Sequence, residues 1–389
     1  MPSPPLDVET AAGRIRACLA PGGACGVGIE LELLVRAADG GRVPSADEVR
    51  AAADTGPLPH GGAVSVEPGG QLELSSPHDQ DLMRALDVVV GDAAELGRRC
   101  ADAGFRLHAA GLHPDRIAPL TMQSSRYRAI TSVFAAAGPR SMQMATSSAG
   151  LQVNVDLGGD PVRRFRLASA IGPVLLALFA NSPVADGVAT GWASTRQLFW
   201  LTVPGQRARP APTWSVDAWV DHVLDMPVLM IQRGDEATPV HDPLTFRRWV
   251  EDGHPSGPAN ADDLELHLTT IYPPVRPRGW LELRMLDSIG LDGVRVAATM
   301  SQALLCDDDA GRAGLGAVRG VTGQWDDAAR HGCGHPGLAR AASRCLRIAA
   351  ETVDDADLSA RCIDWAERYP DRGRSPADDR LDERGLSRP

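Results

Sequence analysis

The stretch that decides the fold is Gly28-Ile29-Glu30-Leu31-Glu32-Leu33-Leu34. In an extended chain successive side chains point to opposite faces, so Glu30 and Glu32 share one face while Ile29, Leu31 and Leu33 share the other. The arrangement recurs along the chain. It is found in Gln71-Leu72-Glu73-Leu74, in Gln152-Val153-Asn154-Val155-Asp156, and in Trp280-Leu281-Glu282-Leu283-Arg284. Four such strands predict a sheet with one apolar face and one polar, carboxylate-rich face. A solvated face would explain any one of them. It explains all four together less well, because like carboxylates on neighbouring strands repel unless a cation sits between them.

Helices are expected where apolar period and capping residues coincide: Asp81 to Gly104, from Pro161 behind the cap Asp160 toward Asn181, Ser215 to Asp225, Pro336 to about Val353, and Leu358 to about Arg368. Residues 9–370 read as one folded domain. Residues 1–8 and 371–389 are polar and poor in large apolar side chains, so the first is expected to be flexible and the second disordered.

Composition narrows the chemistry. The 389 residues are 43% hydrophobic and 23% charged, with a net charge of −11, which gives no broad basic field for nucleic acid. All 39 basic residues are Arg, and Lys is absent. That excludes mechanisms built on a P-loop lysine, a protein-kinase lysine or a Schiff base. The seven cysteines, an odd set without a C-x-x-C, predict a reducing, cytoplasmic setting. The N-terminus lacks the pattern of a secretory signal. The longest apolar run, Leu167 to Ala180, contains Ser169, Gly172 and Pro173 and is too short to span a bilayer, so no membrane partner is expected.

Oxygen ligands without clustered His or Cys select Mg²⁺, or Mn²⁺, over Zn²⁺. Mg²⁺ binds through a few carboxylates plus substrate phosphates, so a carboxylate cradle in a chain without Lys points to a nucleoside triphosphate held through metal. Arg284, on the face of Glu282, is then placed to stabilise a transferring phosphoryl group. Two tempting motifs are set aside. His331-Gly332-Cys333-Gly334-His335 has metal-ligand spacing but precedes a helix and reads as a turn. Gly23, Gly26 and Gly28 precede a strand rather than open a helix, so a dinucleotide site is not expected.

The segments GIELELL (28–34), VEPGGQLELSSP (66–77), SSRYRAI (124–130), LQVNVDLGG (151–159), LFANSP (178–183), STRQLFW (194–200), TFRRWV (245–250) and HLTTIYPPVRPRGWLELRMLDS (267–288) resemble, in this order, the plant-type glutamate–cysteine ligase family. The resemblance covers roughly Gly26 to Val353. It implies an α+β fold like the glutamine synthetase catalytic domain: a curved, mostly antiparallel sheet forming a cradle, with helices on its convex side. It also implies ATP-driven joining of the L-glutamate γ-carboxylate to the amine of L-cysteine through γ-glutamyl phosphate, in one catalytic domain. Resemblance to the family's GC-rich actinobacterial branch suggests that the product feeds ergothioneine synthesis, with glutathione synthesis left as the alternative.

Carried over by position, Glu30, Glu32, Glu73 and Glu282 match the family's metal ligands, with Gln152 and Asn154 as further candidates. Glu67 is either a ligand or a residue that shapes the turn at Pro68-Gly69-Gly70. Arg126 and Arg196 resemble the arginines that clasp the α-carboxylate of glutamate, a task suited to the planar guanidinium. Tyr127 and Trp200 either wall the amino-acid pocket or belong to the core. Glu282 and Arg284 are the expected catalytic pair. A γ-glutamyl ligase for another amine, a metal-dependent hydrolase and an inactive binding module remain as alternatives, and the sequence leaves the oligomeric state open.

Overall fold

Strand β1 (Val27–Ala37) organises the protein, because its first half pairs on both sides with strands of the same alternating pattern. The computed structural model describes residues 4–40, 42–115 and 124–388. The other sheet strands are β2 (Ala63–Val66), β3 (Leu72–Ser75), β4 (Phe105–His108) and β5 (Gly150–Asp156). Two short ribbons follow, β6 (Val184–Ala185) with β7 (Val188–Ala189) and β8 (Met230–Arg233) with β9 (Glu236–Pro239), and then β10 (Val275–Pro277) and β11 (Trp280–Asp287) return to the sheet. The sheet order is β10-β11-β5-β1-β3-β2, with β4 on the second half of β1, and every pairing is antiparallel.

The apolar face fixes the register. Ile29, Leu31, Leu72, Leu74, Leu151, Val153, Val155, Leu281 and Leu283 are fully buried, each contributing about 1.5–3 kcal/mol by leaving water. A slip of one residue would turn that whole set outward. Against this face pack the helices Leu82–Asp102, Pro161–Leu178 and Leu291–Cys306, and the helices Pro336–Thr352 and Ala356–Arg368 form a further layer behind them. The fold is therefore α+β, with an antiparallel sheet carrying its main helical layers on the apolar side.

The register places polar side chains opposite each other on the remaining face: Glu32 faces Glu73, while Glu30 faces the amide of Gln152 and Glu282 that of Asn154. On β11 a bulge intervenes. Leu283 pairs with Val153 but Leu286 with Leu151, so three steps on β11 match two on β5. The extra residue reverses the alternation, and Asp287, opposite Gly150, returns to the polar face. A second apolar cluster, including Ile130, Phe134, Met144 and Phe199, stands over that face on the helices Ser125–Ala137, Pro139–Ser147 and Thr195–Trp200.

The expectation for the chain ends is corrected. Residues 370–372 form a 3-10 turn and Pro376–Glu383 a helix, with Ala377 and Leu381 buried. Charge explains what apolar content did not: Arg374 binds Asp379 and Asp382, Arg380 donates to Ala109 O, Arg384 binds Asp115, and Arg388 donates to His331 O. At the other end Leu6 N–H bonds Ala259 O and Asp7 caps the helix Val8–Ala17, while residues 1–3 lie outside the described residues.

Candidate active site

Sheet and lip enclose a cavity of about 200 Å³. Its floor is Glu32 from β1, Glu67 and Gln71 from the β2–β3 turn, and Arg284 from β11; its lip is Arg126, Tyr127 and Ile130; its back wall is Trp200, Thr269 and Tyr272. The two aromatic rings of the wall lie 5.2 Å apart, and Arg126 is anchored to Thr269 Oγ1 at 3.0 Å. Glu32, Glu67, Arg126, Tyr127, Trp200 and Arg284 are thus brought together around one cavity.

The turn that carries Glu67 needs no help from its carboxylate. Glu67 N–H donates to Gln71 O, Gly70 N–H to Glu67 O, and Gly69 N–H to the Gln71 side chain, whose amide in turn reaches Ser148 O. Gly70 has φ +85°, and a Cβ on Gly69 would lie 1.7 Å from Thr146 O. Two glycines and Gln71 therefore shape the turn, and Glu67 is left to line the cavity. Gln71 was legible only as part of the quoted motif.

Beyond the cavity the same sheet face carries Glu30, Glu73, Glu282, Gln152 and Asn154. Asn154 donates to Glu30 at 2.8 Å, Ser65 to Glu73 at 3.3 Å, and Arg284 to both Gln152 (2.5 Å) and Glu282 (3.3 Å). Arg276, which the sequence reading passed over, donates to Glu282 at 2.5 Å and to Ile271 O at 3.0 Å. The signal was present, since the turn Arg278-Gly279-Trp280 closes with Pro277 opposite Leu281 and so sets Arg276 opposite Glu282. Despite burial, Arg276 and Arg284 together hold the Glu282 carboxyl below its usual range.

The other carboxylates are pushed the opposite way. Burial, then the charges of Glu32 and Glu30, lift Glu67 to about 7 against the opposing pull of Arg284. Burial, then Glu32, Glu67 and Glu30, lift Glu73 to about 8. Burial also raises Glu32, although Arg196, the Gly150 N–H and Arg284 all favour its charged form. Acidic groups crowded until they repel one another are the donor set that a hard divalent cation relieves, so the residues fit magnesium. Among the described residues no three His, Cys, Asp or Glu side chains converge as a ready-made ligand set. Glu282 is turned to its arginines, Glu32 to the Gly150 N–H at 2.5 Å, and Glu30 to Asn154.

Arg196 is placed differently from the other predicted substrate residues. It is 3% exposed and does not line the cavity. Its guanidinium lies 5.7 Å from the Trp200 ring, donates to Arg284 O, and stands 3.9 Å from Asp287, the residue that the bulge returns to this face. Asp287, fully buried, accepts from Asn181 N–H, Ser182 Oγ and Ser194 Oγ at 2.6–2.9 Å. Of the residues that line the cavity, Trp200 and Arg284 each keep a buried N–H, Nε1 and Nε, without a partner, and Arg196 Nε behind the wall is likewise unpaired. Spare donors on residues beside a small polar cavity suit an anionic ligand. In the segment His331–His335, Cys333 is buried and His335 caps the helix Pro336–Thr352 by accepting from Leu338 N–H.

Comparison with known proteins gives the class first. The fold is shared with solved ligases: a glutamate–cysteine ligase from Francisella tularensis, determined in complex with AMP, superposes with TM-score 0.58 at 14% identity, covering 93% of this chain and 85% of that one. A bifunctional glutathione synthetase from Pasteurella multocida gives 0.53 at 14% identity, over 97% of this chain and 52% of that one. Within this class the chain belongs to Glutamate-cysteine ligase family 2 (GCS2), whose description matches residues 26–388. Among its relatives, glutamate–cysteine ligase EgtA of Mycobacterium tuberculosis is 39% identical over 93% of this chain and 87% of its own length. EgtA of Mycolicibacterium smegmatis is 37% identical over 96% and 90%. The chloroplastic glutamate–cysteine ligase of Arabidopsis thaliana is 29% identical over 69% and 53%.

Proposed function

We propose that the protein is an ATP-dependent ligase joining the γ-carboxylate of L-glutamate to the amine of L-cysteine, with γ-glutamyl phosphate as intermediate and γ-glutamylcysteine, ADP and phosphate as products. Family membership and the named ligase relatives support the reaction. The observation that carries it at the site is the cavity itself: two repelling carboxylates, Glu32 and Glu67, face Arg126 and Arg284 in a space the size of an amino acid. The two EgtA relatives favour a place in ergothioneine synthesis. Seven free cysteines fit a reducing cytoplasm, and among the described residues no helix is long and apolar enough to cross a membrane.

The chemistry requires one anion to attack another. Arg126 and the Trp200 N–H would hold the glutamate carboxylate, with Tyr127 and Tyr272 closing the pocket and excluding water that would hydrolyse an acyl phosphate. Arg284, fixed by Gln152 and Glu282, faces the γ-carboxylate and meets the charge that spreads onto the phosphoryl oxygens during transfer. Arg276 keeps Glu282 ionised and in place. Magnesium, with manganese as a substitute, would be held by Glu30, Glu32, Glu67, Glu73 and Glu282, with Gln152 and Asn154 as neutral oxygen donors, and supplies the charge neutralisation that lets carboxylate and phosphate approach.

ADP release measured with glutamate and cysteine together, singly and absent tests the reading. A ligase requires both amino acids for full turnover and yields a γ-glutamyl dipeptide by mass. ADP release independent of both would make it a hydrolase, and no release a binding module. A panel of amines identifies the acceptor.

A further inference from the structure

The polar sheet face ends on buried residues at one end and on the exposed Trp280 at the other. At the buried end the site stops against Arg196 and Asp287. At about 200 Å³, the cavity is smaller than the roughly 300–1,000 Å³ of pockets that enclose larger organic ligands. It takes an amino acid and leaves a nucleotide to lie along the strands beyond. On β11 that path runs from Arg284 past Glu282 to Trp280, all on the polar face, since Leu281 and Leu283 are buried on the other. Trp280 closes the Arg278-Gly279-Trp280 turn, pairs across the sheet with Asp156, and is 40% exposed. An indole held half in water by a regular strand is not part of the core that its two neighbours build.

We propose that Trp280 is the platform on which the purine base of the nucleotide stacks, with the phosphates running back over Glu282 toward Arg284. This rests on the ligase reading, in which a nucleoside triphosphate is a substrate. Four steps of strand lead from Trp280 to Arg284, about 13 Å, a span matching that from base to terminal phosphate in an extended nucleotide. The other aromatic side chains at the site, Tyr127, Phe134, Trp200 and Tyr272, line the amino-acid cavity instead. Along one strand face the sequence Trp-x-Glu-x-Arg thus reads as base, metal-bound phosphates and transferring group.

The test is isothermal titration of wild type and Trp280→Ala with magnesium ADP and with magnesium tripolyphosphate, which offers phosphates but no base. Loss of one stacked base predicts a roughly 10- to 100-fold weaker affinity for ADP, an unchanged affinity for tripolyphosphate and an unchanged KM for glutamate. Trp280→Tyr, which keeps an aromatic face, stays within a few-fold of wild type. Unchanged ADP affinity, or an equal loss for tripolyphosphate, overturns the proposal. Should Trp280→Ala fail to fold by circular dichroism, Trp280→Thr suits a strand and carries the same comparison. Wild type that ligates glutamate to cysteine while Trp280→Ala keeps its ADP affinity overturns the platform alone; wild type that needs neither amino acid for ADP release overturns the ligase reading.

Discussion

Arg126, Arg196 and Arg284 were all legible from their motifs, but they occupy different surroundings, and their substitutions separate accordingly. Arg284 faces the cavity from a strand that Gln152 and Glu282 hold fixed, so its charge counts most when charge is moving. Arg284→Ala should lower kcat by roughly 10²–10⁴-fold with little change in KM for ATP or glutamate, as steady-state kinetics would show. Arg126 is half-buried on the lip. Its truncation should raise KM for glutamate by roughly 30- to 1000-fold, a loss of about 2–4 kcal/mol, and leave KM for ATP near its starting value. Arg196 instead backs the wall. Burial pushes its guanidinium down and the Asp287 carboxyl up, while their attraction opposes both shifts. Arg196→Ala strands a buried carboxylate and should cost about 3–5 kcal/mol in urea unfolding, beyond any effect on glutamate. No spacing in the chain distinguishes a buried arginine from one lining a cavity, which is why motif reading treated Arg126 and Arg196 alike.

Elements with a clean period were legible and those without one were not. The four strands show two-residue alternation, and the helix Leu82–Asp102 opens and closes near Asp81 and Gly104 as expected. The helix Leu291–Cys306 was missed because it is apolar nearly all round, being covered on most sides. The C-terminal helix was missed for the opposite reason: Ala377 and Leu381 are too few to show a period, and ion pairs do most of the anchoring. The β2–β3 turn offers a test at this scale. A Cβ on Gly69 meets backbone at Thr146, which has no rotamer to change. Gly69→Ala should displace the turn that aims Glu67 and depress kcat/KM for glutamate by more than tenfold, with little lost in far-ultraviolet circular dichroism. Activity within twofold of wild type would show that the turn tolerates the shift.

Across the whole molecule, the C-terminal helix ties distant parts of the fold together. Arg384 binds Asp115, which also binds Arg36 of β1, and Arg380 donates to Asn181, a neighbour of Asp287. The hydrogen bonds from Arg384, aided by Arg36, hold the Asp115 carboxyl at about 2, below its ordinary 3.8. A carboxyl whose folded pKa is depressed stabilises the fold above its unfolded pKa, and that contribution is lost as pH falls toward the folded one. Arg384→Ala should therefore lower Tm modestly at neutral pH, and the difference from wild type should shrink as pH falls from 3.8 toward 2. A difference that stays constant over that interval would assign the effect to packing. Nothing in the sequence joins residues 36, 115 and 384, because only the folded chain brings them together.

The bulge in β11 makes strand length a functional quantity in its own right. Its one extra residue sets Arg284 and Asp287, three positions apart, on the same face. Deleting Met285 would restore a regular ladder in which Leu286 still meets Leu151 and Asp287 still meets Gly150, so the two faces survive and what is lost is the local bend of the strand and one buried side chain. Met285→Leu should leave activity near wild type, whereas the deletion should still give soluble protein but with lowered kcat, because the bend that spaces Arg284 from Asp287 is gone; no soluble protein from the deletion would show that folding itself needs the bulge. Between relatives, the length of β11 should then vary by this one residue, and other insertions and deletions should fall in the loops that flank it.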